Sequence, residues 1–142
     1  MAAQAEDERL RVLVIDDEES ICELVARVAR AAGNDAVTAT SAAEAREAMA
    51  SGTFDVVLTD VVLGPADGLD LLAELRAGRP RLGAVVMSGY SPAPERLAAL
   101  AIHGVEFVPK PFGNAQLVTA LRRATSLARG RPLGGDAPRA PS

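Results

Sequence analysis

The sequence predicts an α/β domain, a five-stranded parallel sheet with helices on both faces. Three observations predict it. Short apolar, β-branched runs recur along the chain, and each is followed by a segment with apolar residues at helical spacing. The runs are apolar at consecutive positions, as strands buried on both faces are. Five such strand and helix units in series favour right-handed crossovers and hence a parallel sheet.

The elements follow in order. After a polar leader, residues 1–8, the run Leu10–Ile15 reads as a buried strand that ends in four acids, Asp16, Asp17, Glu18 and Glu19. Ile21, Leu24, Val25 and Val28 then recur at helical spacing up to the stop signal Gly33-Asn34. Asp35–Thr40 is a weaker, alternating strand, and Ser41 with Glu44 forms a capping-box pattern that opens an alanine-rich helix ending at Gly52. Val56–Leu58 is a third buried strand, ending at Thr59-Asp60. A loop with Gly64 and Pro65 leads into a helix with Leu69, Leu72 and Leu75 that ends by Gly78. Ala84–Met87 is the fourth strand, ending at Ser88-Gly89. Ser91-Pro92 is an N-cap followed by proline at the first helical position, opening a fourth helix that runs to about His103-Gly104. Val105–Val108 is the fifth strand, and Leu117, Val118 and Leu121 mark the fifth helix. Residues 9–128 form the ordered unit, and the Gly/Pro-rich segment 129–142 reads as a disordered tail.

Composition excludes several classes. At 142 residues and 49% hydrophobic, the chain holds one core and is too short for two ordinary domains. A net charge of −4, without a basic stripe or aromatic platform, argues against a nucleic-acid binder held by phosphate contacts. Cys22 is the only cysteine, and neither a signal-peptide core nor an 18-residue apolar run occurs, so a cytoplasmic protein without membrane contact is expected. Lys110 is the only lysine among fifteen basic residues, which singles it out.

In open parallel sheets, ligands bind beyond the carboxyl ends of the strands. Here those ends carry Asp16-Asp17, Asp60, Ser88 and Lys110. Carboxylates gathered there repel one another unless a cation lies between them, and with no His or Cys at these ends a hard, oxygen-seeking ion such as Mg²⁺ suits the set. A carboxylate can attack phosphorus to give an acyl phosphate, with a metal and a lysine neutralising the phosphoryl oxygens and a serine hydroxyl donating to them.

The segments VLVIDDEE, DVVLTDVVLGPADGLDLL, VVMSGYS and FVPKPF resemble the four signature segments of bacterial response-regulator receiver domains, in order and in spacing, over roughly residues 9–128. The resemblance implies a flavodoxin-like, doubly wound (βα)5 fold with strand order 2-1-3-4-5. It implies Asp60 as phosphoacceptor, Asp16 and Asp17 with Asp60 and the Val62 carbonyl as Mg²⁺ ligands, and Lys110 as the phosphate-contacting lysine. It further implies Ser88 and Phe107 as the switch pair, Val62 and Tyr90 as positions that set phosphoryl lifetime, and a cis Lys110-Pro111 peptide that aims the lysine. Two departures stand out. Gly64 precedes Pro65 where the family often has proline four residues after the phosphoacceptor, which predicts a differently shaped loop. The switch aromatic is Phe107, without a tyrosine hydroxyl.

The residues also admit plainer readings. Glu18 and Glu19 favour a helix N-terminus, and Phe107 is first a half-buried aromatic. Cys22 reads as a small packed side chain, and His103 as a helix-end cation site rather than a phosphorelay histidine. The expectation is therefore a stand-alone phosphoacceptor domain of a two-component system. It would take its phosphoryl group from a histidine kinase or histidine phosphotransfer protein. It would signal through the face of the fourth helix, fifth strand and fifth helix to a protein target or a second copy. A phosphorelay intermediate, or a receiver module separated from a hybrid histidine kinase, is the alternative. A phosphohydrolase would need an acid two residues after Asp60, where Val62 stands, so no turnover enzyme is expected. A non-phosphorylated interaction module leaves the acidic set without a purpose.

Overall fold

The computed structural model describes residues 9–89, 93–95, 98–99 and 103–130. Its elements in chain order are β1 (Arg11–Ile15), α1 (Glu19–Ala31), β2 (Asp35–Ala39), α2 (Ala42–Ser51), β3 (Val56–Asp60), β4 (Val62–Leu63), β5 (Ala66–Asp67), α3 (Gly68–Arg76), β6 (Gly83–Ser88), β7 (Val105–Pro109) and α4 (Asn114–Arg129). Helix α4 is the last of the five predicted helices. Of the predicted fourth helix, residues 94–95 and 98–99 are helical, and most of its remaining span lies outside the described residues.

Five parallel strands form the main sheet in the order β2-β1-β3-β6-β7. This is the predicted 2-1-3-4-5 order, with β4 and β5 set aside in a small sheet of their own. The loop expected at Gly64-Pro65 is that second sheet: Val62 pairs with Asp67 and Leu63 with Ala66, antiparallel. Gly64 sits at φ +61 in the turn between them, a conformation that costs glycine little. Leu63 is buried and anchors the hairpin to the core. A four-residue pairing of this kind leaves almost no period-2 signal, which is why the sequence reads as loop.

Alternation along each strand builds two cores, one on each face of the sheet. Val12 and Val14 of β1, Val56 and Leu58 of β3, and Val85 and Met87 of β6 face α1 and α4, where Cys22, Val25, Leu117 and Leu121 meet them. Leu13 and Ile15, Val57, and Ala84 and Val86 face α2 and α3, where Ala45, Met49, Leu71, Leu72 and Leu75 meet them. Small residues set the spacing on the first face: a Cβ at Gly83 would collide with the backbone of Ala124 in α4. Every strand of the central three is thus apolar on both sides, and its polar residues fall at the ends.

Local signals in the chain account for the helix boundaries. Ser41 accepts a hydrogen bond from the Glu44 N–H at 3.1 Å while the Glu44 carboxylate accepts from the Thr40 N–H at 2.8 Å, which starts α2. Asp67 caps α3 by accepting from the Leu69 and Asp70 N–H groups at 2.7 and 3.2 Å. The start of α1 differs, because Glu18 at its N-cap makes no side-chain cap. Among the described residues, no helix is long and apolar enough to cross a membrane.

Candidate functional site

Strand register brings the strand-end residues together. Ile15 lies opposite Thr59, so Asp16 follows β1 directly beside Asp60 at the end of β3. Asp60 lies opposite Met87, and Ser88 opposite Pro109, so Ser88 and Lys110 continue the same edge. The hydrogen bonds between these turns lock the edge: Val61 N–H to Met87 O at 3.1 Å and Lys110 N–H to Ser88 O at 2.7 Å.

Carboxylate oxygens of Asp16, Asp17 and Asp60 all lie within 4.8 Å of one another. Asp16 is fully buried, Asp60 is half-buried and Asp17 is exposed at the mouth. Lys110 reaches in from the far side, with Nζ donating to Asp16 Oδ2 at 3.0 Å and to Asp60 Oδ2 at 3.1 Å. Burial pushes the Asp16 carboxyl above the ordinary aspartate value. The hydrogen bond from the Glu18 N–H and the charge of Lys110 oppose that shift without cancelling it. Burial also works against the Lys110 charge, but its hydrogen bonds to Asp16 and Asp60 outweigh it and hold the ammonium above the usual lysine value. One ammonium thus serves two carboxylates while a third stands nearby. The edge is built to take up positive charge.

The donor set contains oxygen only, with one acid buried, one half-buried and one open to solvent. That chemistry fits a hard divalent cation such as Mg²⁺, which prefers a few carboxylates and keeps part of its water shell. The remaining predicted positions fall as follows. Val62 is exposed, and its N–H lies 3.4 Å from Asp60 Oδ1. Ser88 is buried at the end of β6. Phe107 is half-buried on β7 and packs against the core on the α2 and α3 face. The Lys110-Pro111 peptide is cis. Tyr90 lies outside the described residues. His103 has its backbone carbonyl bound by Arg76 Nη1 at 3.0 Å, far in role from the acidic edge.

Sequence reasoning missed three supports of the acidic edge, two at Asp60 and one at Asp16. The first residue of α3, Gly68, donates its N–H to Val61 O at 2.7 Å, and any Cβ there would fall on the Asp60 carbonyl oxygen. Thr59 Oγ1 donates to that same carbonyl at 2.9 Å. Beneath Asp16, the Cys22 thiol points at the Asp16 and Ala39 carbonyls at 3.2 and 3.5 Å, and burial pushes its pKa up so that it stays a thiol donor. The Asp67-Gly68 pair was the available signal for the first. Nothing local marks the other two.

The comparisons with known proteins bear on this geometry. The family described as the response regulator receiver domain matches residues 12–122. The chain belongs to the response-regulator receiver family. It is 34% identical over 115 residues to the DNA-binding transcriptional regulator NtrC of Escherichia coli, covering 81% of this chain and 24% of that protein. It is 34% identical over 119 residues to the probable transcriptional regulatory protein TcrX of Mycobacterium tuberculosis, covering 84% of this chain and 51% of that one. The receiver domain thus spans between a quarter and about half the length of these relatives. Among solved structures, a response regulator receiver domain protein from Clostridium thermocellum superposes with a TM-score of 0.75 at 25% identity, over 84% of this chain and 97% of that one.

Proposed function

We propose that this receiver domain accepts a phosphoryl group on Asp60, with Mg²⁺ held by Asp16, Asp17, Asp60 and the Val62 carbonyl, and signals through the resulting change in its surface. The observation that carries the reading is the single lysine bridging Asp16 and Asp60 at 3.0 and 3.1 Å inside a three-carboxylate cluster. In the transfer, an Asp60 carboxylate oxygen attacks phosphorus. The P–N bond of a phosphohistidine, or the P–O bond of a small acyl phosphate, breaks and its electron pair leaves with the donor. Mg²⁺ supplies charge neutralisation to the phosphoryl oxygens.

Lys110 exchanges its bond to Asp60 for one to a phosphoryl oxygen and keeps its bond to Asp16, so its charge follows the charge that arrives. The Ser88 hydroxyl donates to a second oxygen. Phe107, two residues further along β7 from Val105 and already half-buried, moves inward as Ser88 shifts. This couples the site to the surface of the fourth helix, β7 and α4. Val62 and Tyr90 line the approach of the hydrolytic water and set the lifetime of the acyl phosphate. With Val62 where a phosphohydrolase would carry its acid, Asp60 holds the group rather than turning it over, so the domain is not a turnover enzyme.

Partners on this reading are a histidine kinase or histidine phosphotransfer protein on the input side and a protein target or second copy on the output side. DNA binding is named for NtrC, which is far longer; these residues, at net charge −4, make a poor phosphate-contacting surface. A cytoplasmic location accords with the kinase-facing role. The test is intact mass after incubation with acetyl phosphate and Mg²⁺. One phosphoryl group is expected on the wild-type chain and none on Asp60→Asn; equal labelling of both would overturn the proposal.

A further inference from the structure

Between β3 and α3 the chain doubles back on itself beside the acidic edge. Val62 pairs with Asp67 and Leu63 with Ala66, and the Gly68 N–H donates to Val61 O at 2.7 Å. That last bond makes Val61 and Gly68 a hydrogen-bonded pair. Antiparallel pairs alternate, so Leu63 with Ala66 is hydrogen-bonded again and Val62 with Asp67 is not. The N–H and C=O of Val62 therefore both point out of the hairpin, away from β5. Their side is the side of the acids, because the Val62 N–H lies 3.4 Å from Asp60 Oδ1.

The turn at the tip sets this register. Gly64 has φ +61 while the proline ring holds Pro65 at negative φ. A positive φ at the first central position alone is the signature of a type II′ turn, whose twist matches that of the strands it joins. The hairpin is anchored on either side of the tip: Leu63 is buried in the core on the α2 and α3 face, and Asp67 caps α3. The Val62 side chain is nearly half exposed, so packing of that side chain does not hold its peptide in place. A Cβ at Gly64 would stand 3.8 Å from Asp17 Oδ2, so the tip also lies against the outermost acid.

We propose that Gly64 and Pro65 are positioning residues of the metal site: their turn fixes the hairpin register that turns the Val62 carbonyl toward the carboxylates. This rests on the Mg²⁺ reading of the acidic edge and says what prepares that edge for the ion. Mg²⁺ demands near-ideal octahedral geometry, so a ligand aimed in advance counts for more than a mobile one. Residues that orient metal ligands typically carry about 10–100-fold in affinity.

The experiment is calorimetric titration of Mg²⁺ into the full chain without a phosphoryl donor, followed by labelling rates with acetyl phosphate at rising Mg²⁺. Gly64→Val puts a β-branched residue at positive φ and should weaken Mg²⁺ binding about tenfold. Pro65→Gly frees the turn without a clash and should weaken it about threefold. Gly64→Asn, which suits the same turn, should bind within about twofold of wild type. In all three, labelling at saturating Mg²⁺ should keep its wild-type rate within about twofold, since the turn acts on the ion and not on the transfer. Leu121→Ala, which loosens the core under α4, should leave the Mg²⁺ affinity of the folded protein unchanged. Wild-type affinity in both Gly64→Val and Pro65→Gly, or an equal loss in Leu121→Ala, would overturn the proposal and leave the metal reading standing. No Mg²⁺ binding by the wild-type chain, or binding unchanged in Asp17→Ala, would overturn the metal reading and the role of the turn with it.

Discussion

The two edges of the sheet are opposites built from the same strands. At the carboxyl ends, three carboxylates cluster, two of them, Asp16 and Asp60, share one lysine within hydrogen-bonding reach, and Asp16 is buried. At the amino ends, three arginines face one acid in the hollow where β3 and β6 begin, and the pair Arg129 with Asp55 there is about one-third exposed on each side. The contrast teaches where electrostatics acts strongly. A charge pair inside the fold is scarcely screened and is costly to break, whereas a partly exposed pair contributes at most about 1 kcal/mol.

The sharpest way to test that contrast is to remove the shared cation. Lys110→Ala leaves buried Asp16 facing Asp60 with no counter-charge. The expected cost is about 3–5 kcal/mol in chemical denaturation without divalent ions. Acceptance of the phosphoryl group should fall by about 10²–10³, as for loss of a group that stabilises developing charge. A loss of stability under 1 kcal/mol would mean that Asp16 is not charged in the folded state.

Packing sets a second scale, indifferent to charge. Leu121→Ala in the core under α4 should cost about 2–5 kcal/mol with the Asp60 chemistry retained in whatever fraction stays folded. Gly68→Ala lies between the two. A Cβ on the Asp60 carbonyl forces β3 or α3 to move, at about 1–3 kcal/mol. It should also slow phosphorylation more than Leu121→Ala does at equal stability. Equal slowing would mean that Gly68 serves the fold alone.

The smallest effect is expected at the arginine edge. Asp55→Asn weakens a half-screened bridge and should cost about 1 kcal/mol or less by denaturant midpoint, with phosphorylation unchanged. A larger loss would show that the two edges do not differ as described.

Much of this was legible in the chain. Consecutive apolar residues in LRVLVI and DVVL announced buried parallel strands, and the acids, serine and lysine that end them announced the edge. Lys110 stood out simply as the only lysine. What the sequence concealed leaves no residue pattern, whether the contact is local or distant. The β4 and β5 hairpin is too short to carry a period, and the Cys22 and Thr59 hydrogen bonds run to carbonyls that any residue could supply. The arginine cavity joins residues 49 to 129 through sheet topology, so no linear motif marks it.

The central claim is that Asp60, among three clustered carboxylates, is the one that takes the phosphoryl group. Treating the phosphorylated protein with borohydride converts an aspartyl phosphate to homoserine, which peptide sequencing by mass spectrometry locates. Homoserine at position 60 alone is the predicted result. Homoserine at 16 or 17, or none after full phosphoryl loading, would contradict it.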